Sequence, residues 1–386
     1  MHGVWSGDSI FARGTRAALW PLSAVYGTAV FVRNEAFDRG LLASRMPPIP
    51  VLGVGNLTVG GTGKTPVAAW AAAELAARGA HPAVLLRGYR ARLREGDEGD
   101  EAEVHRLLNP TVPVFVDANR LVAAGRAAEE GCDVAVLDDA FQHRRVSRVA
   151  DLVLVSADAW AMAHHLLPAG PWREPLRAIR RARVAVITRK AVSDAVADTV
   201  ASAVARAAPN LAVAVAHIAP DCLRNPAGDV LQLDALSDGP VYAVAGVGDP
   251  EAFFAQLRKL STTVAAVPYP DHYRFGTADA AQIVREAGRL FPGGSRVVCT
   301  LKDAVKLGAL LPELWYLSQR VVWERGRDAV EFVIDAVRRE GASKDKHMMS
   351  TAHSPSEPSR ATSSGTRKLS FWPPTRGPSI PQWQPT

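Results

Sequence analysis

The chain has 386 residues, of which 48% are hydrophobic and 22% charged, ordinary values for a globular protein with a sizeable core and room for two average domains. The net charge of +6 gathers in the tail, where Lys344, Lys346, Arg360, Arg367, Lys368 and Arg376 face only Asp345 and Glu357; that tail holds +4 and the rest +2. A basic footprint confined to a tail argues against nucleic acid as a partner, and Cys132, Cys222 and Cys299 are too scattered for a metal-ligand pair or a disulfide framework, which fits a reducing compartment.

No cleavable signal peptide is evident. An apolar stretch, Ala17 to Val32, lies between Arg16 and Arg33. It is shorter than the roughly 20 residues that span a bilayer as a helix and contains Pro21 and Gly27. Residues 1–46 therefore read as an N-terminal segment whose apolar helix is buried or peripheral, or is a membrane-associating anchor that rests on an anionic surface or partly inserts into it. Trp20 and Tyr26 suit such an interface, and Arg13, Arg16, Arg33, Arg39 and Arg45 suit its head groups.

After Pro47-Pro48-Ile49-Pro50, short apolar runs alternate with helical patterns. Strands are expected at Val51–Gly55, Ala83–Leu86, Val134–Leu137, Leu152–Val155 and Val184–Ile187, and helices at Thr65–Arg78 and Asn119–Glu130. Continuous apolar runs between helices predict a mostly parallel sheet with helices on both faces. The alternation resumes at Val241–Ala245, with helices from Pro250 and Thr277, strands at Val264–Val267 and Val297–Thr300, and a terminal helix Asp328–Arg339. The spans are thus 47–235 for a main domain and 236–340 for a smaller C-terminal α/β domain. Residues 341–386, rich in Ser, Thr and Pro, read as a disordered tail.

The strongest local signal follows the first strand and opens a helix: Thr58-Val59-Gly60-Gly61-Thr62-Gly63-Lys64-Thr65. Glycines let backbone N–H groups wrap phosphate oxygens, Lys64 neutralises the β/γ oxygens, and Thr65 offers a hydroxyl to Mg²⁺. Thr58 stands where the standard phosphate loop has glycine. The fold class is therefore a P-loop NTPase-type α/β fold with ATP and Mg²⁺ as expected ligands. The loop alone does not choose between a kinase and an ATPase that partitions or inserts cargo at a membrane. Asp138-Asp139, at the end of an apolar strand, is where such a fold holds Mg²⁺ or its water. His143 just beyond is either structural or a substrate contact. Trp172 to Lys190, with seven cations against Glu174, is a solvated face or a basic face for anionic lipid.

Six segments together resemble the tetraacyldisaccharide 4′-kinases of lipid A biosynthesis, from about Leu19 to about Arg338. They are the phosphate loop, Arg87-Gly88-Tyr89, Asp138-Asp139 with Gln142-His143, Leu167-Pro168-Ala169-Gly170-Pro171 with Arg173-Glu174, Asp271-His272, and Lys302-Asp303-Ala304-Val305-Lys306-Leu307. The resemblance implies an enzyme at the cytoplasmic face of the bacterial inner membrane that phosphorylates the 4′-hydroxyl of an acylated glucosamine disaccharide 1-phosphate. It also implies that an Asp in a Gly-Asp-Glu-Pro segment, helped by the His of Asp-His, activates that hydroxyl. Here the matches are Asp100 and His272, with Ala102 in place of the proline. Asp97 lies in a second Gly-Asp-Glu and is the alternative base. Arg87, Tyr89, Arg120, His143, Arg173 and Glu174 are the implied substrate contacts.

Overall fold

The structure is a computed structural model that describes Trp5, Gly7 and residues 9–88, 99–271 and 273–352, with side chains as far as residue 343. The chain opens with a long helix, α1 (Ile10–Asp38), which carries Pro21 inside it. The first half of the sheet follows: β1 (Val51–Asn56), α2 (Lys64–Ala77), β2 (Pro82–Leu86), α3 (Asp100–Leu108), β3 (Val114–Val116), α4 (Arg120–Glu129), β4 (Val134–Asp138), β5 (Ala150–Ser156), β6 (Val184–Arg189) and α5 (Asp194–Ala207). The second half comprises β7 (Ala212–Arg224), β8 (Val230–Leu231), β9 (Val241–Ala245), α6 (Pro250–Leu260), β10 (Val264–Pro268), α7 (Thr277–Leu290), β11 (Arg296–Thr300), α8 (Leu301–Leu307), β12 (Trp315–Arg325) and α9 (Arg327–Ala352).

Among the described residues the strands form a single 12-stranded sheet in the order β10-β9-β11-β12-β7-β6-β5-β1-β4-β2-β3, with β8 on β7. The strands β1, β2 and β4 are buried at every residue, as two-sided coverage of a parallel sheet requires. One face is packed by α2 and α9, through Val67, Ala71, Leu75, Val333 and Val337. The other is packed by α4, through Ala123, Ala124 and Ala127, and by α5, through Ala197, Val200 and Val204. The later strands are likewise covered by α6 on one side and by α7 and α8 on the other.

The two halves join through β7 and β12, a long antiparallel pair. Neither strand is evident from the sequence pattern. Pro220 lies within β7, opposite Gln319 and beside a register shift between the two strands, a place where a strand accepts a residue with no N–H to donate. The terminal helix also differs from expectation. It runs through Gly341 to Ala352, into the span read as a disordered tail. Gly341 is what lets it pass, because a Cβ there would stand 2.7 Å from Val134 Cγ1. The remainder of that tail, 353–386, lies outside the described residues.

Parallel registry brings the chemistry to one edge. Val54 of β1 pairs with Asp138 of β4, and Leu85 of β2 with Leu137. The phosphate loop, Arg87, Asp138-Asp139 and Arg189-Lys190 thus all leave the sheet at the carboxyl ends of its strands, where open α/β sheets bind ligands. Gly55 sets the spacing between two of these segments: a Cβ there would lie 2.6 Å from Phe141 N and 2.7 Å from Phe141 Cβ. Gly55→Ala should therefore lower stability by about 1–3 kcal/mol, the usual cost of overpacking, read from urea unfolding. An unchanged midpoint would show that the β1 and β4 ends can separate freely.

Candidate active site

The phosphate loop is built as its glycines require. Gly60 and Gly63 take positive φ (112° and 81°), which side chains with a Cβ rarely adopt, and Gly63 caps α2 with Lys64 at the helix start. Three polar contacts hold the loop from below. Asn56 Nδ2 donates to Thr62 Oγ1 (2.9 Å), Thr188 Oγ1 to the Thr62 carbonyl (2.8 Å), and Lys190 Nζ to the Gly61 carbonyl (3.0 Å). Thr58 is accommodated because this position is extended: it forms an antiparallel bridge with Trp172. Among the described residues Asp139 is the one non-glycine with positive φ, so Thr58 carries no such strain.

That bridge is part of a strap. Val59 N–H donates to the Pro171 carbonyl (2.8 Å) and Arg173 N–H to the Leu57 carbonyl (2.7 Å). The Leu167–Glu174 motif is thereby laced to the outside of the phosphate loop, and Arg173 reaches over it to Asp139. Gly170 permits the tight turn, since a Cβ there would be 2.3 Å from the His165 carbonyl oxygen.

The acid pair at the end of β4 divides its partners. Thr65 Oγ1 and His105 Nε2–H both donate to Asp138 Oδ2, each at 3.1 Å. Asp139 turns away at φ 52°. It accepts two bonds from Arg173 Nη1 (2.9 and 3.0 Å) and lies 3.5 Å from Lys64 Nζ. Withdrawal from water would raise the Asp139 pKa, but the Lys64 and Arg173 charges outweigh it and hold the carboxyl below its ordinary range. Among the described residues no three His, Cys, Asp or Glu stand close enough to cage a metal. Thr65, Asp138 and Asp139 carry hard oxygens of the kind Mg²⁺ takes.

Asp100 begins α3, after Gly99 at φ 87°; of the acidic run, the described residues from Gly99 on form a helix start. Its carboxylate lies 3.0 Å from Lys306 Nζ on α8. The same helix buries His105 against Asp138, and Asn109 at its end donates to the Ala69 carbonyl of α2 (2.7 Å). Glu101 feels the charges of Asp138, Asp139, Lys302 and Lys64. Partial withdrawal from water, then the two aspartates, raise its pKa. Sequence reasoning passed over both His105 and Glu101; the only signal was their place in the segment that carries Asp100.

The remaining expected contacts separate into two groups. Arg87, Arg120 and His143 are electrostatic neighbours on the Asp139 side, with Arg87 exposed and Arg120 buried. Arg173 joins the acid pair, whereas Glu174 is buried, with Arg181, Asn34 and Gln142 donating to its oxygens at 2.7–3.2 Å. Glu174 is therefore a joint between α1, the strap and the strand-end loop. Tyr89, Asp97 and His272 lie outside the described residues. The Trp172–Lys190 arginines do not form one basic face: Arg173 and Arg181 turn inward, and Arg189 pairs with Glu324 and Asp194.

The description of the family whose model matches residues 15–338 is tetraacyldisaccharide-1-P 4′-kinase. The chain is 35% identical over 328 residues to the tetraacyldisaccharide 4′-kinase of Halorhodospira halophila, covering 82% of this chain and 90% of that one. It is 37% identical over 313 residues to the protein of the same name from Alkalilimnicola ehrlichii, covering 78% and 86%. A crystal structure of LpxK from Aquifex aeolicus, described as an "apo" form in complex with ATP, matches with a TM-score of 0.66 at 27% identity, over 84% of this chain and 99% of that one.

His143 yields a pH test. Burial first, then the Arg120 and Arg87 charges, push its pKa from 6.5 down to about 4. The unfolded chain takes up this proton near 6.5 and the folded chain does not, so stability should fall as pH drops from 6.5 towards 4. His143→Gln should flatten that part of the stability curve, and the His143 ring resonance should show a neutral imidazole at pH 6. A ring midpoint near 6.5 would mean that neither burial nor the arginines bear on it.

Proposed function

The chain belongs to the tetraacyldisaccharide-1-P 4′-kinase family, and from that premise we propose that it moves the γ-phosphate of ATP to the 4′-hydroxyl of a tetraacylated glucosamine disaccharide 1-phosphate, giving lipid IVA, with Asp100 as the base. The observation that carries the ATP half is the convergence of Lys64 and Thr65 on the Asp139 and Asp138 carboxylates. Backbone N–H groups of residues 59–65 would cradle the phosphates, with Lys64 meeting the β/γ oxygens. Thr65, Asp138 and Asp139 would hold Mg²⁺, which when bound neutralises charge on the phosphate oxygens.

The acceptor half rests on Asp100 and His272. As the 4′-oxygen forms its bond to the γ-phosphorus and the bond to ADP breaks, the hydroxyl proton passes to the Asp100 carboxylate. His272 would orient the pair from the Asp271-His272 segment of the second α/β unit, 236–340, whose α8 meets Asp100 through Lys306. Arg87, Tyr89, Arg120 and His143 would receive the sugar and its phosphate, with Arg173 fixing Asp139.

The acyl chains need an apolar surface, and α1 offers one. Ile10, Phe11, Trp20, Leu22, Val25, Phe31 and Val32 are exposed. A shallow groove of about 800 Å³ runs between α1 and Leu41-Leu42. Among the described residues no helix is long and apolar enough to cross a membrane. In this reading the exposed apolar face of α1 would lie on an anionic bilayer at the cytoplasmic side of the inner membrane. The opposite edge of α1 is fastened to the site: Ser23 Oγ donates to the Leu166 carbonyl (3.0 Å), Tyr26 OH to the Arg173 carbonyl (3.0 Å) and Asn34 to Glu174 (2.7 Å).

Asp100→Asn keeps the size but cannot take the proton, so kcat should drop on the order of 10²–10⁴-fold with ATP binding unchanged. Full activity in that variant, with loss in Asp97→Asn instead, would move the base three residues upstream. Trp20→Ser, Leu22→Ser and Val25→Ser together should release the protein from anionic vesicles in a flotation assay and leave ATP binding intact. Flotation like that of the unaltered chain would place the membrane contact elsewhere.

A further inference from the structure

The Lys302–Leu307 motif contributes nothing to the phosphate cradle, yet it forms α8 beside α3. Lys306 is nearly buried, its side chain 11% exposed, and Asp100 Oδ2 at 3.0 Å is its partner. The contact is an ion pair without hydrogen-bond geometry, and the ammonium makes no hydrogen bond to any other described residue. A buried ammonium is costly unless an anion meets it, so the carboxylate of Asp100 is drawn to one place. Asp303, one turn earlier, also lies near Lys306. Its Oδ2, however, is committed to the Gly246 N–H (2.9 Å) and the Thr300 hydroxyl (2.7 Å).

We propose that Lys306 is a positioning residue for the transfer: it fixes Asp100 through Oδ2 and leaves Oδ1 to receive the acceptor proton. The inference rests on the reading of Asp100 as base. Three features suit α8 to this task. Buried Asp303 ties the helix to the end of β9 through Gly246, so the lysine is held by a rigid element. Lys302, four residues before Lys306 and hence on the same helix face, reaches Asp271 Oδ1 at 3.4 Å. One face of α8 thus touches both Asp100 and the residue that precedes His272, and sets the two in common register. Finally, the Asp100 side chain is 35% exposed, so it can be solvated without Lys306, and the pair is not needed to keep the fold.

The test is a double-mutant cycle in the full chain, with kcat at saturating ATP and lipid acceptor and with ATP affinity measured separately. Lys306→Met should lower kcat on the order of 10²-fold, the scale of a misplaced reacting group, with ATP affinity and melting temperature little changed. Lys306→Arg, which keeps the cation, should recover most of the loss. In an Asp100→Asn background Lys306→Met should cost nothing further, because the lysine acts through that carboxylate. Should Lys306→Met fail to fold, Lys306→Gln carries the same cycle. Normal kcat in Lys306→Met, or a loss that adds in full to that of Asp100→Asn, overturns the inference while leaving the base assignment in place. Normal kcat in Asp100→Asn itself overturns the base reading beneath it.

Discussion

Two adjacent carboxylates ending one buried strand are the constraint on which the site depends. Side by side and pointing alike, Asp138 and Asp139 would repel each other and one would take up a proton. The chain separates them by a backbone turn, Asp139 at φ 52°, a conformation that costs a non-glycine residue on the order of 1–3 kcal/mol. Charge-assisted bonds from Arg173 and the nearby Lys64 ammonium offset that cost. Asp138 keeps the position nearest Thr65 and is steadied from behind by His105. The two acids thereby sit beside the phosphate loop with oxygens directed at different partners.

Much of the remaining architecture serves that arrangement. Arg173 can reach Asp139 only because its strap pairs with Leu57–Val59, and the strap is pinned in turn by Ser23 and Tyr26 of α1. Glu174 ties the same helix to Gln142 and Arg181. The apolar helix is thus joined by short polar contacts to residues that hold the acid pair, rather than hanging as a separate anchor. On the other side, α3 carries Asp100 at its start and His105 in its middle, so one helix joins Asp100 to the acid pair.

What could be read from the sequence was what is local. The phosphate loop, the acid pair and most central strands are short contiguous signals, and Val241–Ala245 and the helices from Pro250 and Thr277 begin where expected. What escaped depends on distant pairing. The strands β7 and β12 lie about a hundred residues apart, and β7 contains a proline, so neither advertises the antiparallel seam that unites the sheet. Glu174 reads from the sequence as a substrate contact beside Arg173, and its burial and its bonds from Arg181, Asn34 and Gln142 come only from the fold. Lys306 gave no hint of Asp100, from which it is separated by about half of the chain. The helix beyond Gly341 was hidden by composition, since a polar tail pattern does not reveal that a glycine lets the helix pass the start of β4.

The most direct test of the account is to incubate the purified protein with ATP, Mg²⁺ and a tetraacylated glucosamine disaccharide 1-phosphate in mixed micelles, and to read the product by tandem mass spectrometry. The account predicts one added phosphate, located on the 4′-hydroxyl of the non-reducing glucosamine, in step with ADP release. Steady ADP release with an unmodified acceptor would contradict it and would describe an ATPase that uses the same phosphate loop to move cargo.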